Sequence, residues 1–184
     1  MRFLKLSLCG LVAAVLFAAP ASAQTTTPMS WSLYAGYANP TGELSPGGSF
    51  AFRANGFYNL SPVMGIGAEA GYHALGSITE LEDAGIENSW SAIQFTPEVR
   101  ARGVTGNIRP YGMVGFGVYN LRGSMDDGTT EVSDNTTEMG FNFGGGVTFG
   151  QGPTTFGLEA RWHSIMTEGD ATDVVGFMAG VNFN

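Results

Sequence analysis

In the final stretch of the chain, 173–184, large apolar residues occupy every second position, with smaller or polar residues between them. The apolar set is Val175, Phe177, Ala179, Val181 and Phe183. A period of two places the two sets on opposite faces of a β-strand. In an open sheet such a strand would leave an apolar edge, which promotes aggregation. Closure removes the edge, and a closed antiparallel sheet with an apolar outer face can cross a bilayer. The stretch therefore predicts a membrane β-barrel.

The first 23 residues are predicted to be a secretory signal peptide, cleaved after Ala23. Two basic residues, Arg2 and Lys5, precede a run of small and apolar residues, 6–19, and an A-x-A motif follows. The run is shorter than the roughly 20 residues that a helix needs to span a bilayer. A basic start with an A-x-A end is typical of an export signal.

The remainder, 24–184, is predicted to be one barrel domain. The single cysteine, Cys9, lies in the leader, so disulfides are not expected. Of eight basic residues, Arg2 and Lys5 belong to the leader, which leaves six arginines against 16 acidic residues. This balance argues against nucleic-acid binding, whose proteins are basic. The charged fraction of 13% is about half that of soluble domains, and the 28 glycines are about double the usual share, which favours a membrane barrel.

Eight segments alternate between apolar and polar residues, and none shows the spacing of an amphipathic helix. They are residues 29–39, 49–60, 63–74, 90–102, 107–122, 138–150, 155–165 and 173–184. In the fourth segment, Glu98, Arg100 and Arg102 lie on one face. Phe95 and Val99 lie on the other. Such segregation indicates a strand whose two faces meet different surroundings.

The fifth segment is compatible with either of two phases. One phase contains Pro110, Val114, Phe116 and Val118, and the other contains Tyr111, Met113, Tyr119 and Leu121. The first set is predicted to face outward, although a β-bulge would mix the two.

Connections between the segments alternate in length. Those at 61–62, 103–106 and 151–154 are short, and those at 40–48, 75–89, 123–137 and 166–172 are longer. The pattern predicts an all-β fold, an eight-stranded antiparallel up-and-down transmembrane β-barrel with short periplasmic turns and longer extracellular loops. Aromatic residues near segment ends are expected to form interface girdles: Tyr37, Tyr58, Tyr72, Trp90 and Trp162.

Four features together resemble the eight-stranded outer-membrane β-barrel family, which includes the OmpA transmembrane domain and the OmpX and Ail proteins. They are the leader, Arg109-Pro-Tyr-Gly-Met-Val-Gly-Phe-Gly-Val118, Phe156-Gly-Leu-Glu-Ala-Arg-Trp-His163 and the aromatic last strand. The resemblance implies residence in the outer membrane of a Gram-negative bacterium. It also implies a role as an anchor, an adhesin or a surface-resistance protein. One departure is Asn184 after Phe183, where the family usually ends on the aromatic residue.

The predicted faces assign the polar side chains to the interior and the large apolar ones to lipid. The interior polar network comprises Arg53, Glu69, His73, Glu98, Arg100, Arg102, Glu159, Arg161 and His163. The lipid-facing set comprises Phe50, Phe52, Ile66, Phe95, Phe141, Phe143, Leu158, Phe177, Val181 and Phe183. Buried charges must pair, and an eight-stranded interior has room only for side chains, so the network is predicted to be a nearly balanced polar plug. A gated pore is the alternative.

No catalytic, cofactor or metal site is predicted. His163 precedes Ser164, which suggests acyl transfer by a base beside a hydroxyl. However, adjacent strand residues point to opposite faces, so His163 would face inward and Ser164 would face lipid.

The predicted loops hold most of the acidic residues. These are Glu43, Glu80, Glu82, Asp83, Glu87, Asp126, Asp127, Glu131, Asp134, Glu138, Glu168, Asp170 and Asp173. The expected arrangement is a solvated acidic rim. A sharper hypothesis is cation bridging to lipopolysaccharide phosphates, or attraction of a basic surface partner.

Three functional hypotheses follow. The first is a monomeric outer-membrane barrel in contact with lipid and lipopolysaccharide, with a structural or surface-interaction role and no catalysis. The second is a soluble periplasmic lipocalin-like barrel, with the apolar face turned inward around a ligand. The third is a lipid A-modifying barrel enzyme or a narrow pore. Low charge and asymmetric connections favour the first.

Overall fold

Eight antiparallel strands form one closed barrel in chain order. The computed structural model describes residues 28–41, 48–77, 83, 85–103, 106–126, 128, 131–167 and 171–184. The strands are β1 (Met29–Thr41), β2 (Ser49–Asn59), β3 (Met64–Gly76), β4 (Glu87–Arg102), β5 (Ile108–Asp126), β6 (Glu131–Phe149), β7 (Thr154–Ile165) and β8 (Thr172–Phe183). The last strand pairs with the first from Trp31↔Phe183 to Thr41↔Asp173. The predicted eight-stranded antiparallel up-and-down barrel is confirmed.

Large apolar side chains cover the outside of the barrel. Eight of the ten residues predicted to face lipid are between 45% and 63% exposed. The other two, Phe141 and Val181, are half-buried. The ring of Phe141 packs edge-on against Trp162, with centroids 5.2 Å apart. A lipocalin-like barrel would turn this apolar face inward, so that alternative does not fit the fold.

The fifth strand keeps one phase along its barrel part. Tyr111, Met113 and Tyr119 are buried inside, whereas Val114 and Phe116 are 59% and 50% exposed. The register between β4 and β5 runs without a shift, and the irregularity lies instead in β3, between Ala74 and Gly76.

Two strands extend furthest beyond the segments that the alternation predicts. Both β5 and β6 have 19 residues, and they remain paired as far as Asp126↔Glu131. The predicted long loop at 123–137 is therefore wrong, because most of it is strand. Residues 132–137 have solvent on both faces, so no apolar period marks them, although Val and Thr favour extended backbone.

The two ends of the barrel still differ. Short connections at 60–63, 103–107 and 150–153 join strands at one end, which we call the short-turn end. The predicted signal peptide, 1–23, lies outside the described residues. Within the described ranges, no helix has the length and apolar character needed to cross a bilayer.

Candidate functional site

The centre of the barrel interior holds a buried ion-pair cluster of two arginines and three glutamates: Arg53, Arg161, Glu69, Glu98 and Glu159. Arg53 lies 2.8 Å from Glu69 and 2.5 Å from Glu159. Arg161 lies 2.6 Å from Glu69 and 2.9 Å from Glu159, and it also pairs with Glu98. All five side chains are at most 1% exposed. Pairing offsets the large cost of removing these charges from water.

Neutral side chains add hydrogen bonds to two of the carboxylates, those of Glu69 and Glu159. The hydroxyl of Tyr111 donates to Oε2 of Glu159 at 2.8 Å. The amides of Gln94 and Asn55 donate to the two oxygens of Glu69. Both of these acids are thus held by neighbours from other strands, as a buried carboxylate requires.

Two histidines form the next layer, away from the short-turn end. Nε2 of His73 lies 3.1 Å from Oε1 of Gln94, and Nδ1 of His163 lies 3.1 Å from the hydroxyl of Tyr119. The two imidazole rings meet edge-on, with centroids 4.9 Å apart. Because the Gln94 amide nitrogen donates to Glu69, its oxygen is free to accept from Nε2 of His73.

An apolar cluster extends from the level of the ion pairs past the histidines. Its buried members are Tyr34, Ala38, Ala51, Leu75, Ala92, Val174 and Met178. Trp90 packs against this cluster from inside rather than joining an interface girdle, which corrects the prediction. Trp90 has the same strand parity as the inward-facing Gln94, so the alternation itself places it inside.

Two tyrosines cross the interior on the other side of the ion pairs. The hydroxyls of Tyr34 and Tyr111 lie 3.1 Å apart, although the residues belong to β1 and β5. Glycines provide the room for them. A Cβ at Gly146 would lie 2.8 Å from the Tyr111 hydroxyl, and a Cβ at Gly157 would collide with the Tyr34 hydroxyl. These positions explain part of the high glycine content, since only glycine leaves that space.

An arginine layer lies at the short-turn end and consists of Arg100, Arg102 and Arg109. Arg100 donates from Nη2 to Ser30 at 2.9 Å and to Asn59 at 3.2 Å. Its guanidinium lies 4.0 Å from the ring centre of Phe57.

The other two arginines bond to backbone carbonyls. Arg102 donates to Pro62 at 3.0 Å, and Arg109 donates to Gly150 at 3.4 Å. Among the described residues, no carboxylate forms an ion pair with any member of the arginine layer.

The structure thus places all nine residues of the predicted polar network in the interior, but in three groups rather than one balanced plug. Arg100 and Arg102 follow Glu98 along β4 by two and four residues, so a rise of about 3.3 Å per residue carries Arg102 roughly 13 Å from Glu98. The sequence reasoning missed Arg109. Its parity with the inward-facing Tyr111 and Met113 is the signal that would have found it.

A projecting sheet continues the barrel wall at the opposite end. It comprises 87–90 of β4, 123–126 of β5 and 131–139 of β6. The pairing of β6 with β7 begins only at Gly140↔Ile165, so the preceding part of β6 has a strand on one side in the described structure. Residues 132–137 are exposed throughout. This unpaired edge can accept another strand.

The acidic residues do not all lie in loops as predicted. Glu87, Asp126, Glu131, Asp134, Glu138 and Asp173 belong to strands. Asp83 lies between β3 and β4 and is exposed. Glu43, Glu80, Glu82, Asp127, Glu168 and Asp170 lie outside the described residues. In the described part of the chain, no three His, Cys, Asp or Glu side chains converge as they would around a metal ion.

His163 and Ser164 do not form a catalytic pair. His163 pairs across the sheet with the inward-facing Asn142, whereas Ser164 pairs with the outward-facing Phe141. Ser164 is only 6% exposed, so it is more covered than a lipid-facing position would be. The base and the hydroxyl remain on opposite faces, which separates the groups that nucleophilic catalysis must bring together.

Comparison with solved structures identifies similar barrels. The neisserial surface protein A (NspA) superposes with a TM-score of 0.63 at 15% identity, covering 85% of this chain and 97% of NspA. Ail, the attachment invasion locus protein of Yersinia pestis, gives 0.53 at 18% identity, covering 85% and 99%. A major outer membrane protein of Thermus thermophilus gives 0.54 at 10% identity, covering 85% and 99%. At these identities the likeness shows the fold.

No curated protein sequence matches this chain significantly. A profile of the outer membrane protein β-barrel domain matches residues 9–183, nearly the whole chain. Together with the closed eight-stranded sheet and its apolar outer face, this match shows that the chain belongs to the outer membrane protein β-barrel domain family.

Proposed function

We propose that this protein is a non-catalytic barrel of the Gram-negative outer membrane that contacts surface partners through its projecting sheet. The barrel is a monomer surrounded by outer-membrane lipid and lipopolysaccharide. Its physiological role is adhesion, surface resistance or maintenance of the envelope. The exposed edge of β6 at 132–137 carries the proposal.

That edge has the features of a contact surface for another extended chain. Val132 is 60% exposed, and the segment after it, Ser133-Asp-Asn-Thr-Thr137, is polar. Hydrogen bonds between side chains brace the sheet behind the edge, including Asn120 to Asn135 at 2.6 Å and Ser89 to Ser124 at 2.9 Å. On its outer side, the backbone of this edge has no strand partner in the described part of the chain. Because the edge is already held in place, a strand of a partner can pair with it at a small cost in conformational entropy.

The barrel interior supports a scaffold role. The ion-pair cluster and the apolar cluster fill its middle, as side chains fill the narrow interior of an eight-stranded barrel. His163 is held between Tyr119 and His73, and the hydroxyl of the adjacent Ser164 lies on the opposite face of the strand. Both observations favour a structural interior over a pore or an acyl-transfer site.

Cysteine labelling on intact cells tests the orientation. In the exported chain predicted here, which lacks cysteine, Ser133→Cys should react with a membrane-impermeant maleimide. The matched control is Gln151→Cys, exposed in a short turn, which should react only after the outer membrane is permeabilised. Labelling of Gln151→Cys first would reverse the orientation and overturn the proposal.

Shortening the projecting sheet tests the contact role. Arg122 and Asn135 are paired, so residues 123–134 can be replaced by Asn-Gly, which closes a two-residue hairpin in the existing register. The shortened barrel should still migrate as a compact, heat-modifiable band. Cells carrying it should lose the adhesion or surfactant survival that the full chain confers on a host lacking it. Unchanged phenotypes with the shortened barrel would refute a contact role for the sheet.

A further inference from the structure

We propose that the arginine layer is a binding site for a phosphate group, entered from the short-turn end of the barrel. The inference concerns the opposite end from the projecting sheet and does not depend on the surface-contact role. It rests on the charges, the burial and the cavity at Arg100, Arg102 and Arg109.

The charge at this end is not balanced. Three guanidinium groups lie within one layer, and none forms an ion pair in the described part of the chain. Glu159 also lines the cavity, but its carboxylate is already held by Arg53, Arg161 and Tyr111. A buried cation without a counter-charge is costly, so an anion that entered this layer would be strongly favoured.

Arg100 presents an open hydrogen-bonding position. The residue is only 8% exposed, and its two described hydrogen-bond acceptors, Ser30 and Asn59, are both neutral. Among the described residues, its Nε has no hydrogen-bond partner, and neither does Nε of Arg109. Stacking of the guanidinium on Phe57 restrains its plane. A restrained planar fork with a free N–H matches the bidentate geometry by which arginine binds phosphate oxygens.

The cavity beside these groups is polar and small. Its volume is about 30 Å³, and Arg100, Arg102 and Arg109 all line it. Tyr34, Tyr111 and Thr155 line it as well, and the hydroxyl of Thr155 can donate to an anion. A cavity of this size has room for only a few water-sized groups. Together with its ionic and hydroxyl walls, this favours a single compact phosphate group over an acyl chain.

Two sources can supply that group. One is free inorganic phosphate, and the other is the phosphate of a lipid headgroup in the adjoining leaflet. Both present the same charged oxygens to the arginines, so the experiment needs one arm without phospholipid and one arm with it.

The first arm uses the full barrel folded in an uncharged maltoside detergent, which contains no phosphate. Sodium phosphate is titrated, with sodium chloride at matched ionic strength as the control, and the thermal midpoint is read from the heat-induced gel shift. The midpoint should rise saturably with phosphate only. In Arg100→Gln and in Arg109→Gln the half-saturating concentration should rise at least about tenfold, because each loses a charge-assisted contact.

Matched variants make the result decisive. Arg122→Gln removes an exposed arginine at the other end and should respond as the parent protein does. Arg109 is half-exposed and near the mouth, so its variant provides a folded test even if Arg100→Gln fails to assemble. The proposal would be overturned if phosphate raised the thermal midpoint equally in the parent and in Arg109→Gln. It would also be overturned if chloride raised the midpoint of the parent as much as phosphate does.

The second arm uses bicelles that contain phosphatidylglycerol. If a lipid headgroup fills the site, added phosphate should no longer raise the thermal midpoint. The midpoint of the parent protein should then exceed that of Arg109→Gln even without added phosphate. If free phosphate is the ligand, the titration should match that in maltoside. A parent protein and an Arg109→Gln variant that behave identically in both arms would refute binding from either source.

Discussion

Replacing Arg161 with methionine tests whether the ion-pair cluster holds the barrel together. Arg161 contacts all three glutamates of the cluster, at 2.6 Å for Glu69 and 2.9 Å for Glu159, with Glu98 also paired. In its absence Arg53 still lies beside Glu69 and Glu159. Glu98 would keep no ion-pair partner among the described residues. The variant therefore leaves one buried carboxylate uncompensated.

The expected loss of stability follows from that orphaned charge. Removing one partner of a buried ion pair costs about 3–5 kcal/mol, and methionine has a similar length, so a large cavity does not add to the loss. With an m-value of about 2 kcal/mol per M for urea, the unfolding midpoint should fall by roughly 1.5–2.5 M. Adding Glu98→Gln to Arg161→Met should recover about 1–3 kcal/mol, because the unpaired carboxylate is then removed.

The measurement is urea unfolding of the barrel in lipid vesicles, followed by tryptophan fluorescence and by the gel shift. Arg122→Met provides the matched control, since Arg122 is exposed and its loss should change stability by no more than about 0.5 kcal/mol. A loss below about 1 kcal/mol in Arg161→Met would refute the reasoning. So would a double variant that is no more stable than the single one.

Two further predictions concern the outer face and the packing of the interior. Phe177→Arg and Phe143→Arg should each destabilise the barrel in vesicles by about 2–4 kcal/mol, because the charge enters hydrocarbon, whereas Val132→Arg on the projecting sheet should stay within about 0.5 kcal/mol. Normal assembly and stability of both phenylalanine variants would contradict the assignment of the lipid-facing surface. Gly157→Ala should cost about 1–3 kcal/mol through collision with the Tyr34 hydroxyl, and Tyr34→Phe in the same chain should recover part of it, because the ring carbon that carried the hydroxyl still lies 2.9 Å from the new Cβ. A loss that Tyr34→Phe leaves unchanged would show that another contact is responsible.

Much of the barrel could be predicted because strand alternation is a local property. Arg53, Glu69 and Arg161 are predicted to point inward because residues two positions apart in a strand lie on the same face. All three are buried. Alternation does not mark a strand whose two faces are both exposed to solvent. Residues 132–137 of β6 have solvent on both faces, so this part of the strand carries no apolar period to detect.

Strand alternation does not predict which of the inward-facing charges form ion pairs with one another. Arg100 and Arg161 are both inward-facing arginines, yet Arg161 contacts three carboxylates and Arg100 forms no ion pair among the described residues. The difference depends on height along the barrel axis. That height is determined by the stagger of eight strands and not by either residue's own segment.

The sequence by itself determined the number of strands in the barrel wall, their antiparallel order and the apolar outer face, since each depends on a period of two and on connection length. Only the tertiary structure decided which charges meet. Arg161 and Glu69 are 92 positions apart in the chain. They meet because closure of the sheet, from β1 to β8, brings β3 and β7 across from each other around one interior. The same closure gathers Arg100, Arg102 and Arg109 at the short-turn end, beyond ion-pairing distance of the described glutamates. Pairing across a closed barrel is a property of register and stagger, which no single strand contains.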